Sequence, residues 1–550
     1  MKQNYFFSAF LLLSLQCFAQ TAYPPIIWAS EIKTVPNATL ETGWDFFDMA
    51  VEPNSGSVYA AARCYAPSTF PSGAMLTPVA NGELLALIKY DFQGNVEWIK
   101  DLGFVGTISE GAKICSSVSG GVYITGTFSV QTIDFGNGVF ASRNCATDCD
   151  ELFIAKYSAT GEAEWAKTVF GADNTFFNVS GIESDQTGNL WVTGNYQGSL
   201  ANFGLNFVFN NLPGNNFFLA NYNAVTGNPQ AVQFPAPDSG LASSIHLAIN
   251  DSGQMVLAGN LYGTLKFANG LSVGAQSNPG DFYVAGLSPN GNAQWARVIG
   301  SSEYLDVLGI DIDEEAQAYL AIDASVNLKL DNSTILTISN NYAGTVLKVG
   351  ASSFSLPVFI GYDLDNYPIM DVELDHWGII YTAGTASESV NIGNFTVAVD
   401  GCLDGLLTAT GSDGVFQWAR TVGGTGCEAF PNYYASNIAF DGAGFLHATG
   451  LFYEGFNEDG FTVPGTGGIV LKFHTSIVDT EEPFALGHLQ ISPNPNSGSF
   501  SVYLEATPVS NMQLKIFDLS GREVYHQTIH TQQVDVNTAL PSGAYVITLQ

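Results

Sequence analysis

Residues 152–171 read LFIAKYSATGEAEWAKTVFG, and recognisable copies of this stretch return along most of the chain. It has the form of two short strands, with apolar and small residues alternating, joined by a tight turn at Gly161. LLALIKY precedes Gly94 and Trp98 in one copy, FYVAGL precedes Gly291 and Trp295 in another, and LLTAT precedes Gly414 and Trp418 in a third. A fixed unit returning at long intervals is the mark of a repeat architecture.

The tryptophans serve as a ruler. Trp98, Trp165, Trp295 and Trp418 are spaced by 67, 130 and 123 residues, which is one, two and two periods. Weaker copies without the Trp fill the gaps near Ala231 and Pro357, and Trp28 opens the series, giving seven units. Inside the units a second hairpin recurs: VYITG after Gly121, LWVTG after Asn189, MVLAG after Gln254, IIYTAG after Gly378 and FLHATG after Gly444. An alternating strand such as HLAIN or NIAFD comes before it, with a Gly-containing turn between. Each unit therefore offers four strands. The expected fold is all-β: a seven-bladed β-propeller of four-stranded antiparallel blades, followed by a small C-terminal β-sandwich. The rungs of a β-helix are too short to hold two tight hairpins each.

In this fold Trp28, Trp98, Trp165, Trp295 and Trp418 stand on outer strands, where a wide ring fills the gap between splaying blades. Burial there contributes on the order of 25 cal/mol per Å² of apolar area. Between the second and third strands lies a longer excursion with its own echo, IDFGNG at 133–138, ANFGLN at 201–206, LKFANG at 265–270 and VNIGNF at 390–395. The face that carries these segments is where a ligand is expected.

One edge problem remains. PIIWASE at 25–31 is an outer strand with nothing before it, whereas GIVLKF at 468–473 is a third strand with nothing after it. Residues 25–31 are expected to add antiparallel to residues 468–473 and close the ring, since two open edges would leave rows of unpaired backbone groups.

Acidic residues number 51 against 17 basic, a net charge of -34. Such a surface repels phosphate backbones, so nucleic acid is excluded as a partner. Lys2, an apolar run from Phe6 to Leu15 and Cys17-Phe18-Ala19 form a secretory signal over residues 1–19, and a lipid anchor at Cys17 lacks the small residues it needs before the cysteine. No later apolar run is long enough for a transmembrane helix. Domain boundaries are set at 20–474 for the propeller, 475–488 for an acidic, Pro-interrupted linker and 489–550 for a C-terminal module. Cys145 and Cys149 lack a second ligand pair for zinc and read as a loop-pinning disulfide or two thiols, while Cys402 and Cys427 are expected on one face, close enough for a second bridge.

The run Asp-x-x-Gly-Asn-Val-Tyr-Val-Thr-Gly, then Asp-Phe-Gly, then Phe-Ile-Ala-Lys-Tyr with Trp-Ala-Lys resembles the bacterial secreted β-propeller repeats often called SBBP-like, over about residues 25–475. That resemblance implies a propeller and no fixed activity. The tail is similar to the C-terminal sorting domain of type IX secretion substrates, through Pro493-Asn494-Pro495, Asp518 with Gly521-Arg522, and Gly543 with Tyr545. It implies export through the periplasm, recognition by the outer-membrane translocon and release or display at the surface of a Gram-negative bacterium. Such tails usually end in a further basic, apolar strand, so a truncated or variant signal is expected at Gln550.

No GxSxG, HExxH, P-loop or strand-linked GxGxxG motif is present, and the seven histidines are scattered. Asp311, Asp313, Asp363 and Asp365 are the metal candidates, with calcium as the ion, although they lack the calcium-loop spacing and Asp is also what β-turns demand. His447 reads as a packed strand residue. No catalytic residue and no organic cofactor is assigned. The expected function is non-enzymatic binding or adhesion at the cell surface, to a glycan or protein; the alternative is a polysaccharide-binding or polysaccharide-degrading protein acting from the loop-rich face.

Overall fold

The computed structural model describes residues 24–475 with short interruptions, the longest being 35–42, 79–82, 107–110, 276–280, 301–304, 338–342, 363–368, 400–403, 424–427 and 430–437, together with the strands within 490–549. The chain divides into two compact units, Met1–Val478 and Asp479–Gln550. Every regular element among the described residues is a β-strand.

The larger unit is a β-propeller. Sheets spanning 44–101, 112–169, 176–233, 305–362 and 371–422 each hold four antiparallel strands in sequence order, and two larger sheets, of eight and seven strands, contain the same core. Their first strands are Trp44–Val51, Ala112–Ser116, Phe176–Ser184, His246–Ile249, Leu305–Ile312, Asp371–Leu374 and Ile438–Phe440. Each first strand packs on the next, and the last packs on the first, so these strands form the inner ring. Apolar side chains of adjacent sheets meet in shared cores; one joins Tyr59, Leu87 and Phe47 to Ile124, Phe153 and Tyr157.

Closure is as the two deficits require. Ile26–Thr34 pairs antiparallel with Gly467–His474, placing Trp28 opposite Lys472. Trp98 stands opposite Lys89 and Trp165 opposite Lys156 in the same register. Arg420, from the outer strand of the preceding sheet, fastens this closure. Its buried guanidinium reaches the Pro24 carbonyl at 2.6 Å, Asp459 at 2.9 Å and Glu458 at 2.8 Å, while Asp459 also accepts the Ile26 N–H at 2.9 Å.

The outer-strand tryptophans lie between sheets. The Trp28 indole donates to the Phe92 carbonyl at 2.9 Å and the Trp98 indole to Ala159 at 3.0 Å, each in a turn of the following sheet. Trp418 donates to Thr475 at 3.0 Å. Trp165 packs 6.0 Å from Tyr123, and Trp295 sits over Gly286 of its own sheet.

The excursions have a structural task that the sequence reading did not foresee. Their echoed residues, Phe135, Phe203, Phe267 and Ile392, are buried plugs rather than exposed loop residues. The hairpin of Leu328–Leu330 and Ser333–Leu336 continues the outer edge of Ala293–Gly300, and Ser68–Thr69 does the same for Ile26–Thr34. These pairings cover strand edges that would otherwise be open.

The smaller unit contains two three-stranded antiparallel sheets. One holds Gln490–Ser492, Ser499–Tyr503 and Gln533–Asn537, and the other holds Glu523–Ile529, Met512–Asp518 and Tyr545–Leu549. The strand at 490–492 was not expected from sequence.

Candidate functional site

The inner strands do not pair with one another, so their inward backbone groups must bond elsewhere. Side chains perform that task. Asp48 accepts the Ile114 N–H at 2.8 Å, Asp311 accepts Leu374 at 2.7 Å and Asp371 accepts Ile438 at 2.9 Å, each across to the next inner strand. His246 Nε2 lies 2.9 Å from the Val307 carbonyl, and Ser180 donates to the Ser244 carbonyl at 2.9 Å. The ring is thus stitched at its axis by polar side chains.

Inside this ring is a cavity of about 120 Å³, lined by Asp48, Lys113, Glu183, His246, Asp371 and Glu373 with apolar neighbours such as Ile310 and Ile438. Asp48, Asp311, Asp371 and His246 are committed to stitching. Glu183, Glu373 and Lys113 have no hydrogen-bond partner among the described residues, so their bonding capacity remains available at the cavity.

Burial sets the electrostatics. It raises Asp371 to about 7 against the help of its two backbone N–H donors, and raises Asp311 to about 7 in the same way. Glu183 and Glu373 are pushed well above the usual carboxylate range by burial first and then by neighbouring carboxylates. Burial also lowers His246 to about 4, so its ring is neutral. The site is a set of carboxyl groups that share too few cations, with Lys113 as the lysine in the lining.

The sequence candidates fall in different places. Asp311 belongs to the axial ring, but Asp313 lies in the turn below it, where it accepts the Gln317 N–H at 2.8 Å and pairs with Lys348 at 2.9 Å. Asp375 likewise holds a turn through the Trp377 and Ile379 N–H groups, both at 2.9 Å. Asp363 and Asp365 lie outside the described residues, as do residues 1–19, Cys402 and Cys427. Among the described residues, the side chains close enough to share a metal ion are Cys145, Cys149 and Glu151. The two sulfurs there are bonded to each other, and Glu151 accepts the Cys145 N–H at 2.8 Å. Of the sorting motif, Asp518 stands opposite Tyr545 in the smaller unit; Pro493, Asn494, Pro495, Gly521, Arg522 and Gly543 lie outside the described residues.

Sequence reading missed Asp48, Lys113, Glu183, His246 and Glu373. Their shared signal is a register: each lies two or four residues before the turn that ends its inner strand, as in HisLeuAlaIleAsn and AspValGluLeuAsp.

Residues 490–550 match the family described as the secretion system C-terminal sorting domain. No curated protein is significantly similar to the chain in sequence. Among solved structures, it is similar to the Dos1 propeller at 10% identity and a TM-score of 0.35, covering 82% of this chain and 96% of that one. It is similar to a PL25 ulvan lyase bound to a GlcA–sulfated rhamnose unit at 9% identity and 0.38, covering 79% and 97%. PorZ, a surface component of the type IX secretion system of Porphyromonas gingivalis, matches at 12% identity and 0.22, covering 93% and 80%. These likenesses are too distant to transfer an activity. The tail marks the protein as one exported by the type IX system and secreted or anchored at the cell surface, and no helix among the described residues is long and apolar enough to cross a membrane.

Proposed function

We propose that this exported propeller is a non-enzymatic binding module of seven blades, and that its axial cavity receives a cationic group from its ligand. The observation that carries this reading is the pair Glu183 and Glu373, half-buried carboxyls with unused acceptors that line a cavity of about 120 Å³. An ammonium group or a hydrated ion fits that space. The partner is therefore an amino-sugar glycan or a basic protein segment that inserts one such group, with calcium as the simplest competing ion. The repeats are assigned to the SBBP-like class, the C-terminal unit to a small sandwich and the residues between them to a linker.

A second reading rests on the carboxyls raised to about 7, because a carboxyl that is partly protonated at neutral pH can serve as a general acid in glycoside cleavage. A glycan array that includes amino sugars, paired with a hydrolase panel, separates the two. Binding of amine-bearing ligands without turnover, weakened at least tenfold by Glu373→Gln, is the expected result. Turnover of any glycan overturns the binding-only reading.

A further inference from the structure

The closing sheet contains a buried pair with no counterpart of its kind elsewhere among the described sheets. Lys472, on the strand that receives Ile26–Thr34, and Asp441, in the turn after the inner strand Ile438–Phe440, both have fully buried side chains, and Lys472 Nζ lies 3.4 Å from Asp441 Oδ2. Aromatic walls keep the pair dry. Nζ is 3.4 Å from the Phe92 ring centroid and 4.0 Å from that of Phe445, and His447 Nε2 lies 3.5 Å from the same carboxylate oxygen. The other carboxylate oxygen, Oδ1, accepts the Phe445 N–H at 3.0 Å.

We propose that Lys472 and Asp441 condense to an intramolecular amide, a covalent cross-link between the first turn and the third strand of the closing sheet. Removal from water disfavours the charged form of a lysine, which brings the nucleophilic free amine within reach. Burial lowers the Lys472 ammonium in that direction, although Asp441 opposes it. The proton passes from Nζ to the carboxylate, and the freed lone pair attacks Cγ. The Phe445 N–H supports the charge that develops on Oδ1. His447, neutral because burial lowers it to about 3, relays the second amine proton to the departing hydroxyl. The Nζ–Cγ bond forms, the Cγ–Oδ2 bond breaks and one water leaves. Nothing beyond these residues is consumed.

The chain supplies its own control. Lys348 and Asp313 occupy the same register in another sheet at 2.9 Å, but their side chains are 25% and 14% exposed. There the lysine is raised by its hydrogen bonds to Tyr319 and Asp313, against the lowering effect of burial, and stays an ammonium that cannot attack. The closing sheet is also where a staple has most effect, because its last strand comes from the far end of the propeller.

The test is peptide mapping of the exported, reduced protein by mass spectrometry. The expected result is a branched peptide joining Asp441 to an uncleaved Lys472, one water lighter than the sum of its parts. Lys472→Met and Asp441→Ala abolish it, and Lys348→Met does not. Folded wild-type protein with two unlinked peptides overturns the proposal. So does a water deficit that survives Lys472→Met, which identifies a cyclic imide at Asp441–Gly442 instead.

Discussion

A β-carbon on Gly94 would lie 2.6 Å from ring atoms of Trp28, and one on Gly161 would lie 3.0 Å from Trp98, so the turn glycine of one sheet and the outer tryptophan of its neighbour form a single packing unit. This explains why both residue types recur at one spacing. Gly94 also has φ of +84°, a conformation that costs an L side chain about 1 kcal/mol. Gly188 has φ of +90° with nothing near a β-carbon, so it isolates the backbone cost. Gly188→Ala is expected to cost about 1 kcal/mol and Gly94→Ala about 2–4 kcal/mol, since overpacking adds to the strain. Urea unfolding of the two variants checks this, and equal losses would show that the ring gives way freely.

At the scale of strands and sheets, the closure depends on Arg420 as well as on the pairing of Ile26–Thr34 with Gly467–His474. Removing one partner from a buried, charged network typically costs about 3–5 kcal/mol. Arg420→Met is therefore expected to loosen residues 24–34 specifically, which limited proteolysis reads as early cutting near the N-terminus. Deleting residues 20–32 should lower the melting temperature of the whole body, because opening one sheet exposes its neighbours; a truncation that melts unchanged would refute the closure as a source of stability. The closure was legible in sequence because a strand lacking a predecessor and a strand lacking a successor are visible as pattern. Hairpins were legible for the same reason, through alternation and turn glycine. The axial site was not. Its residues occupy recurring positions of the inner strands but differ in identity, Asp48, Lys113, His246 and Asp371 among them, so comparing repeats makes them look like tolerant positions rather than a constellation. The excursions were misjudged in the opposite direction, because Phe135 and Phe203 look like loop residues until the hairpin that buries them is seen.

For the whole molecule, the axial carboxyls couple the stability of the ring to pH. Asp311 and Asp371 are raised from 3.8 to about 7, and Glu183 and Glu373 also lie above their ordinary values. A carboxyl whose folded value exceeds its unfolded value binds its proton more tightly in the folded state. Its contribution to stability is therefore complete below about pH 4 and is lost as the pH rises toward 7 and beyond. The propeller is expected to melt at a higher temperature at pH 5 than at pH 8. Surface repulsion from a net charge of -34 relaxes in the same direction as the pH falls, so the slope alone does not locate the effect. Glu373→Gln does, because it keeps the shape and removes the titration. It should raise the melting temperature at pH 8 by roughly 2 °C or more and leave it nearly unchanged at pH 4. A cation seated in the cavity would act as the substitution does, stabilising the ionised ring at pH 8 and losing its effect as the carboxyls protonate. Thermal scans across pH with and without a ligand amine measure both slopes, and a variant that shifts equally at pH 4 and pH 8 would show that Glu373 acts by packing alone.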